Sequence, residues 1–222
     1  MERVFPILIF IVIVVIIVFA AIQAMKRTRE MREWGERNGL KFTNKDRHMD
    51  DEFPQYSCLR HGHSRYAKNV LTGVYRGSPI CAFDYHYTTG SGKNQHHHSF
   101  SALMVNTGLH LKQLFIRTEH FFDKVTEFVG FDDIDFESIE FSRKFYVKSP
   151  DKKWAYDVLH QKSMEYLLHA PRYTLDFQGP YVMAYRNRKF EIAEFDEAFT
   201  VIKDLLDLLP DYLMRELKGE IS

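Results

Sequence analysis

Residues 79–106 read PICAFDYHYTTGSGKNQHHHSFSALMVN, and the fold turns on this stretch. Two runs rich in aromatic and apolar residues, Pro79–Thr88 and His97–Asn106, flank the segment Thr89-Gly90-Ser91-Gly92-Lys93-Asn94-Gln95. Strand formers on either side of a glycine-rich polar segment are the pattern of a β-hairpin with a long loop. If residues 87 and 96 face each other, Asp84 stands opposite Ser99 and His86 opposite His97. Those four share one side of the ribbon, with Tyr85/His98, Phe83/Phe100 and Cys81/Ala102 on the other.

Working outward, Arg65–Tyr75 reads as a strand that ends at Arg76-Gly77-Ser78-Pro79. On the other side Thr107-Gly108 leads into a strand over Leu111–Arg117. Four consecutive strands with short turns predict an antiparallel meander. Phe121, Phe122, Val125, Phe128 and Val129 then fall at helical spacing before Gly130, so a helix is expected over 119–129. The acid-rich stretch Phe131–Ile139 reads as an edge strand kept soluble by charge, and Phe141–Lys148 as a further strand. Ser149-Pro150-Asp151 opens a helix over 151–169, whose apolar positions change phase near Gln161–Lys162. Arg172–Phe177 and Pro180–Arg186 are expected to pair across Gln178-Gly179. A last amphipathic helix covers 194–209, interrupted by Pro210, with a short tail helix after it. Residues 44–64 read as loop or a short helix. A half-apolar sheet must bury one face, so the helices are expected to cover it. The fold class is α+β: an N-terminal transmembrane helix followed by an antiparallel sheet covered by helices.

The membrane reading rests on residues 4–24. From Phe5 to Ile22 no side chain is charged or strongly polar. As a helix these residues span about 27 Å, close to the hydrocarbon thickness of a bilayer, and a helix alone satisfies its own backbone groups there. The run is longer than a signal-peptide core, and its n-region holds only Glu2 and Arg3, so an anchor is favoured over a cleaved leader. Lys26, Arg27, Arg29 and Arg32 follow the span, and positive charge stays on the cytoplasmic side. The expected layout is a short tail over 1–3, a transmembrane helix over 4–24, a juxtamembrane helix over 25–39 that ends near Gly39, and a cytoplasmic domain over 40–222. The expected location is the cell membrane, in a single pass.

Composition narrows function by exclusion. Lys plus Arg and Asp plus Glu are 30 each, so no global field points to nucleic acid. The 19 Phe and 12 Tyr supply a real core. Cys58 and Cys81 form neither a CxxC pair nor a disulfide framework and suit a reducing compartment; a domain outside the cell could join them in one disulfide.

The runs His61-Gly-His-Ser-Arg, Asn69-Val-Leu-Thr-Gly and Phe83-Asp-Tyr-His-Tyr-Thr-Thr-Gly-Ser-Gly-Lys, with Glu140-Phe-Ser-Arg-Lys-Phe-Tyr-Val and Phe177-Gln-Gly-Pro-Tyr-Val, carry a resemblance. Together they resemble a group of uncharacterised prokaryotic proteins with one N-terminal membrane span and a small α+β domain. The resemblance implies that architecture and a prokaryotic origin. It implies no activity and no catalytic residue.

Two constellations carry candidate chemistry. Asp84, His86 and His97 lie on one side of the expected hairpin and would form a two-histidine, one-carboxylate set for a divalent transition metal; no other cofactor is expected. Arg60, His61, His63, Arg65 and Lys68 form a local basic cluster for phosphate, an anionic headgroup or an acidic protein face. Gly90-Ser91-Gly92-Lys93 lacks the spacing and the strand–helix context of a phosphate loop. Asp132, Asp133, Asp135, Glu137 and Glu140 lack the glycine of a calcium loop. No nucleophile elbow, Cys–His signature or HExxH is present. A membrane-tethered binding or scaffold module is therefore the leading class, with the bilayer, a membrane protein or an anionic lipid as partner. A metal- or anion-dependent activity at the 84–98 hairpin is the alternative.

Overall fold

The computed structural model describes residues 4–118 and 134–219. It opens on one unbroken helix, α1 (Val4–Arg37), so the span and the juxtamembrane segment are a single rod. The rod stops in a Schellman turn. Gly39 is left-handed (φ 67°), the Leu40 N–H donates to the Gly35 carbonyl at 2.8 Å and the Gly39 N–H to that of Glu36 at 3.2 Å.

The chain then lays down β1 (Lys41–Asp46), two single-turn helices α2 (Met49–Glu52) and α3 (Ser57–Arg60), and the long strands β2 (His63–Tyr75), β3 (Ser78–Thr89) and β4 (His96–Thr118). After the undescribed stretch come α4 (Ile139–Lys144), β5 (Phe145–Lys148), α5 (Lys152–Val158), α6 (Gln161–His169), β6 (Thr174–Arg186), α7 (Ile192–Asp207) and α8 (Asp211–Leu217). All pairings are antiparallel, in the order β1-β2-β3-β4-β5, with β6 also on β4. Phe115 and Ile116 pair with both β5 and β6, which therefore lie on opposite edges of β4.

The α+β class and the antiparallel sheet with helices stand as expected. Several strand assignments do not. Residues 97–106 and 111–117 belong to one strand, bent at Thr107-Gly108, because β6 pairs along both halves. Gly108 takes φ 70° and donates to Asn106 Oδ1, so the glycine makes an irregularity within β4 rather than a hairpin. Likewise the two strands expected within 172–186 form one, β6. Its two halves do not pair with each other, and left-handed Gly179 is where the register on β4 shifts. β1, not expected as a strand, runs into the region read as loop or a short helix at 44–46. Residues 134–138 form no strand, and Phe141–Lys144 is helical, since the Ser138 hydroxyl accepts the Phe141 N–H and caps α4. The break between α5 and α6 falls where the phase change put it. The helix expected over 119–129 lies outside the described residues.

Sheet parity creates two cores. Ile80, Ala82, Leu103, Val105, Leu114 and Ile116 face α1 and α4 to α8. Cys81, Phe83, Tyr85, Phe100, Ala102 and Met104 face the opposite way, where Met49, Tyr56, Cys58 and Leu59 cover them. The segment 47–62 is thus a lid on the second face, not a polar loop. Both cysteines are free and buried there. Burial pushes the Cys81 thiol up to about 12 and the Cys58 thiol up as well, so they act as small apolar side chains.

The C-terminal third of α1 belongs to the larger core. Met31 and Trp34 are buried, and Trp34 lies against Phe195 (5.4 Å between centroids) and Tyr75 (5.6 Å). Gly35 packs so closely on β2 that an added Cβ would stand 2.3 Å from Leu71 Cδ2. Trp34→Ala therefore opens a core cavity although the residue sits on the membrane helix. The expected loss is about 3–5 kcal/mol, measured by urea unfolding of the full chain in detergent. A loss below about 1 kcal/mol, the level of a surface substitution, would remove α1 from the core.

Candidate functional site

Between the apolar run and Trp34, α1 crosses the inner face of the sheet diagonally. Gly35 sits over β2, Arg27 reaches Asp84 on β3 and Ser101 on β4, and Ala20 to Ala24 pass Lys189 in the turn between β6 and α7. This corner of the domain is where the membrane helix leaves it.

The junction is a buried ion pair. Arg27 Nε and Nη2 donate to the two oxygens of Asp84 at 3.0 and 2.8 Å. The Ser101 hydroxyl adds a bond to Asp84 Oδ1 at 2.5 Å and Asn69 Nδ2 one to Oδ2 at 3.0 Å. The side chains of Arg27 and Asp84 are 13% and 4% exposed. Burial alone would raise the Asp84 carboxyl. Arg27, Ser101 and Asn69 outweigh that cost and hold it below the usual carboxylate range. Asn69 reaches inward because it is left-handed (φ 52°) where the β2–β3 register shifts, a conformation asparagine tolerates. Ser101 Oγ also accepts the Phe190 N–H at 2.9 Å, and the Ser101 N–H donates to the Arg188 carbonyl. The pair thus ties α1, β2, β3, β4 and the β6–α7 turn together.

A second charge cluster braces the same turn. Arg186 and Arg188 both donate to Glu194 near the start of α7, whose carboxylate also accepts the Glu191 N–H at 2.7 Å. The Arg188 bonds, against the cost of burial and helped by Glu191 and Arg186, hold Glu194 at about 2.

Beyond Asp84 the sheet carries an aromatic and basic strip. Tyr66 stacks on His86 (4.7 Å), His86 on His97 (5.6 Å), and Lys45 and Lys68 approach the Tyr66 ring. On the other face Tyr87 stacks on His98 (4.7 Å) and meets His61 edge-on. Burial, with His97, Lys68, Lys189 and His98 nearby, lowers the His86 pKa.

The expected metal set does not assemble. Residues 84 and 101, not 84 and 99, stand opposite, so the register differs by two. Parity is kept and the three residues share a face. However, His86 faces Ser99 and His97 faces Thr88, while both Asp84 oxygens are committed to Arg27 and its partners. Among the described residues no group of three or more His, Cys, Asp or Glu side chains is placed to hold a metal ion. The basic cluster is in part structural. Arg65 binds Asp50 at 2.8 Å and the carbonyls of Arg60 and Gly62, and a ring nitrogen of His63 lies 3.0 Å from the Gly90 carbonyl oxygen. Arg60 and His61 stay at the surface of the α3–β2 turn, with Lys68 on β2.

Sequence reasoning missed Arg27 as Asp84's partner, 57 positions away, and read it only as a topogenic charge. It also passed over Asp176. That side chain is 1% exposed on the second face, near Tyr56 and Cys58, and its Oδ1 has no hydrogen-bond partner among the described residues. Burial raises its pKa well above the usual range, so the acid is carried neutral.

No family model and no curated protein matches this chain. A crystal structure of the mycobacterial trehalose monomycolate transport factor A, TtfA, is similar in fold, with a TM-score of 0.61 at 14% identity. The match covers 82% of this chain and 96% of that one.

Arg27→Ala leaves the Asp84 carboxylate buried without its cation and costs about 3–5 kcal/mol, whereas the double replacement Arg27→Met, Asp84→Leu is close to neutral. Urea unfolding of the two variants in detergent checks this, and equal losses would refute it. Acid and base act oppositely on the two buried carboxyl groups outside that pair. Glu194, depressed from 4.5 to about 2, stabilises the fold above its ordinary value, and the contribution disappears as pH falls through that interval. Asp176, raised, favours the fold at low pH and penalises it as pH rises through the ordinary carboxylate range. Asp176→Asn is expected to raise stability at neutral pH by roughly 1 kcal/mol, about the worth of one displaced pKa unit. Glu194→Gln should blunt acid unfolding. Unfolding midpoints between pH 3 and 8 read both effects.

Proposed function

We propose that this protein is a membrane-tethered binding module, held on the cytoplasmic side, that acts as an accessory factor to a membrane-embedded partner. The observation that carries the reading is the rigid junction. A helix long and apolar enough to cross a membrane enters the domain without a linker and is fixed there by Arg27–Asp84 and Trp34. A flexible tether would suffice to raise local concentration. A rigid one also sets which face of the domain meets a neighbour in the bilayer and reduces the orientational cost of docking.

The side of the membrane follows from Lys26, Arg27, Arg29 and Arg32 after the apolar run. The buried free cysteines agree with a reducing compartment. The fold neighbour, a transport factor, is compatible with this class.

The test is photo-crosslinking of the full chain in native membranes from positions around the corner, such as Lys189 and His97. A discrete protein adduct is expected, and it should fall at least several-fold in the Arg27→Ala variant, where the domain loses its fixed pose. An adduct pattern unchanged by that substitution, or none at any position, would overturn the proposal. Protease added to intact spheroplasts should leave the domain untouched; digestion would reverse the orientation.

A further inference from the structure

We propose that the groove between α1 and the β6–α7 turn binds the phosphate headgroup of an anionic lipid drawn from the bilayer that α1 enters. This rests on the membrane-tethered reading and deepens it. The groove encloses about 460 Å³, in the range of small-molecule clefts, and is lined by Ala20, Gln23, Ala24, Lys26, Arg27, Glu30 and Lys189.

Its position along the helix is the first argument. The uninterrupted apolar run ends at Ile22, so Ala20 to Arg27 occupy the zone where hydrocarbon gives way to headgroups. Ala20 and Ala24 form a small apolar wall on the membrane side, and the exposed side chains of Val15, Ile16 and Phe19 continue outward from it. A lipid seated here has an apolar path for its acyl chains and a polar recess for its phosphate.

Charge is the second argument. The ammonium groups of Lys26 and Lys189 stand on opposite walls, and Lys26 is 67% exposed on its side chain. Of the nearby carboxylates, Asp84 is neutralised by Arg27, and Glu194 by Arg186 and Arg188. Glu30 is the carboxylate in the lining and pairs with Lys26 at 3.7 Å, but both side chains are exposed, and such surface pairs are weak enough for a phosphate to compete. Lys68 and Lys189 both lie near enough to His86 to disfavour its charged form, so the strip beside Lys189 is already positive. Basic side chains at a membrane surface each favour anionic lipid, and two on facing walls select a phosphate between them.

The rigid junction is the third argument. Lys189 lies between Arg188, which is bonded to Glu194, and Phe190, whose N–H is fixed by Ser101, so the turn holds its distance from α1 without a bound ligand. The site is preorganised, which lowers the cost of binding.

The experiment uses the full chain in a non-ionic detergent, titrated with short-chain phosphatidylglycerol, short-chain phosphatidylcholine and inorganic phosphate. Saturable binding of phosphatidylglycerol is expected, with phosphatidylcholine and inorganic phosphate each at least tenfold weaker. The double variant Lys26→Gln, Lys189→Gln should weaken phosphatidylglycerol binding roughly tenfold, while its thermal unfolding stays that of the unaltered chain. Equal binding of the two lipids, phosphatidylglycerol binding untouched by the double variant, or inorganic phosphate binding as well as the lipid would each overturn the inference, the last by revealing a free-anion site. The crosslinking yield of the same double variant in membranes separates the two proposals. If lipid selectivity is absent while the protein adduct persists, only the headgroup site falls.

Discussion

The guanidinium of Arg27 against the carboxylate of Asp84 is the contact on which this architecture depends. A membrane helix and a soluble sheet have no intrinsic reason to hold a fixed angle, since each satisfies its own backbone. Here the helix carries its last membrane-flanking charges into the domain, and one of them is buried. A buried ion pair adds little net stability compared with an apolar replacement, because desolvation consumes most of the Coulombic gain. What it supplies is specificity of docking: any other pose would strand a charge in the core. Ser101 and Asn69 complete the carboxylate's bonding, and each belongs to a different strand.

The surrounding features follow from that choice. Asn69 takes a left-handed conformation because its side chain must reach Asp84 from the strand beside it. Ser101 accepts from Phe190 while donating to Asp84, so the β6–α7 turn is pinned to the same centre. Arg186, Arg188 and Glu194 then close the turn against α7. Trp34 and Met31, one to two helical turns farther on, convert the anchored helix into core by burying apolar surface, the larger energetic contribution. The electrostatic contact thus sets the pose and the apolar contacts hold it.

The second face shows a different economy. The lid from 47 to 62 covers an aromatic core, yet Asp176 is buried beneath it without a partner for Oδ1 among the described residues. Such a group lowers stability at neutral pH, and natural chains seldom carry one without a functional or structural return. Its neighbours Cys58 and Tyr56 are themselves held protonated by burial, so the region is apolar and neutral in character.

Much of the local structure was legible in the sequence. The apolar run, the continuation of its helix to Gly39, the β3–β4 hairpin with its faces, the phase break between α5 and α6, and the stop at Pro210 all arise from periodicity and from residues with restricted backbone preferences. The pattern also gave the class, an antiparallel sheet with helices. Long-range pairing was not legible. Thr107-Gly108 and Gln178-Gly179 look like turns, and only the pairing of β4 with β6 along both halves turns them into irregularities within long strands. The two-residue difference in hairpin register left every face correct, because side-chain direction has a period of two, but it moved His97 from opposite His86 to opposite Thr88. Asp84 itself illustrates the division. Sequence identifies a carboxylate on a strand, and its neighbours in sequence suggest a ligand. Its role is decided by an arginine 57 positions away, and no local pattern encodes which distant charge will occupy the other half of a buried pair.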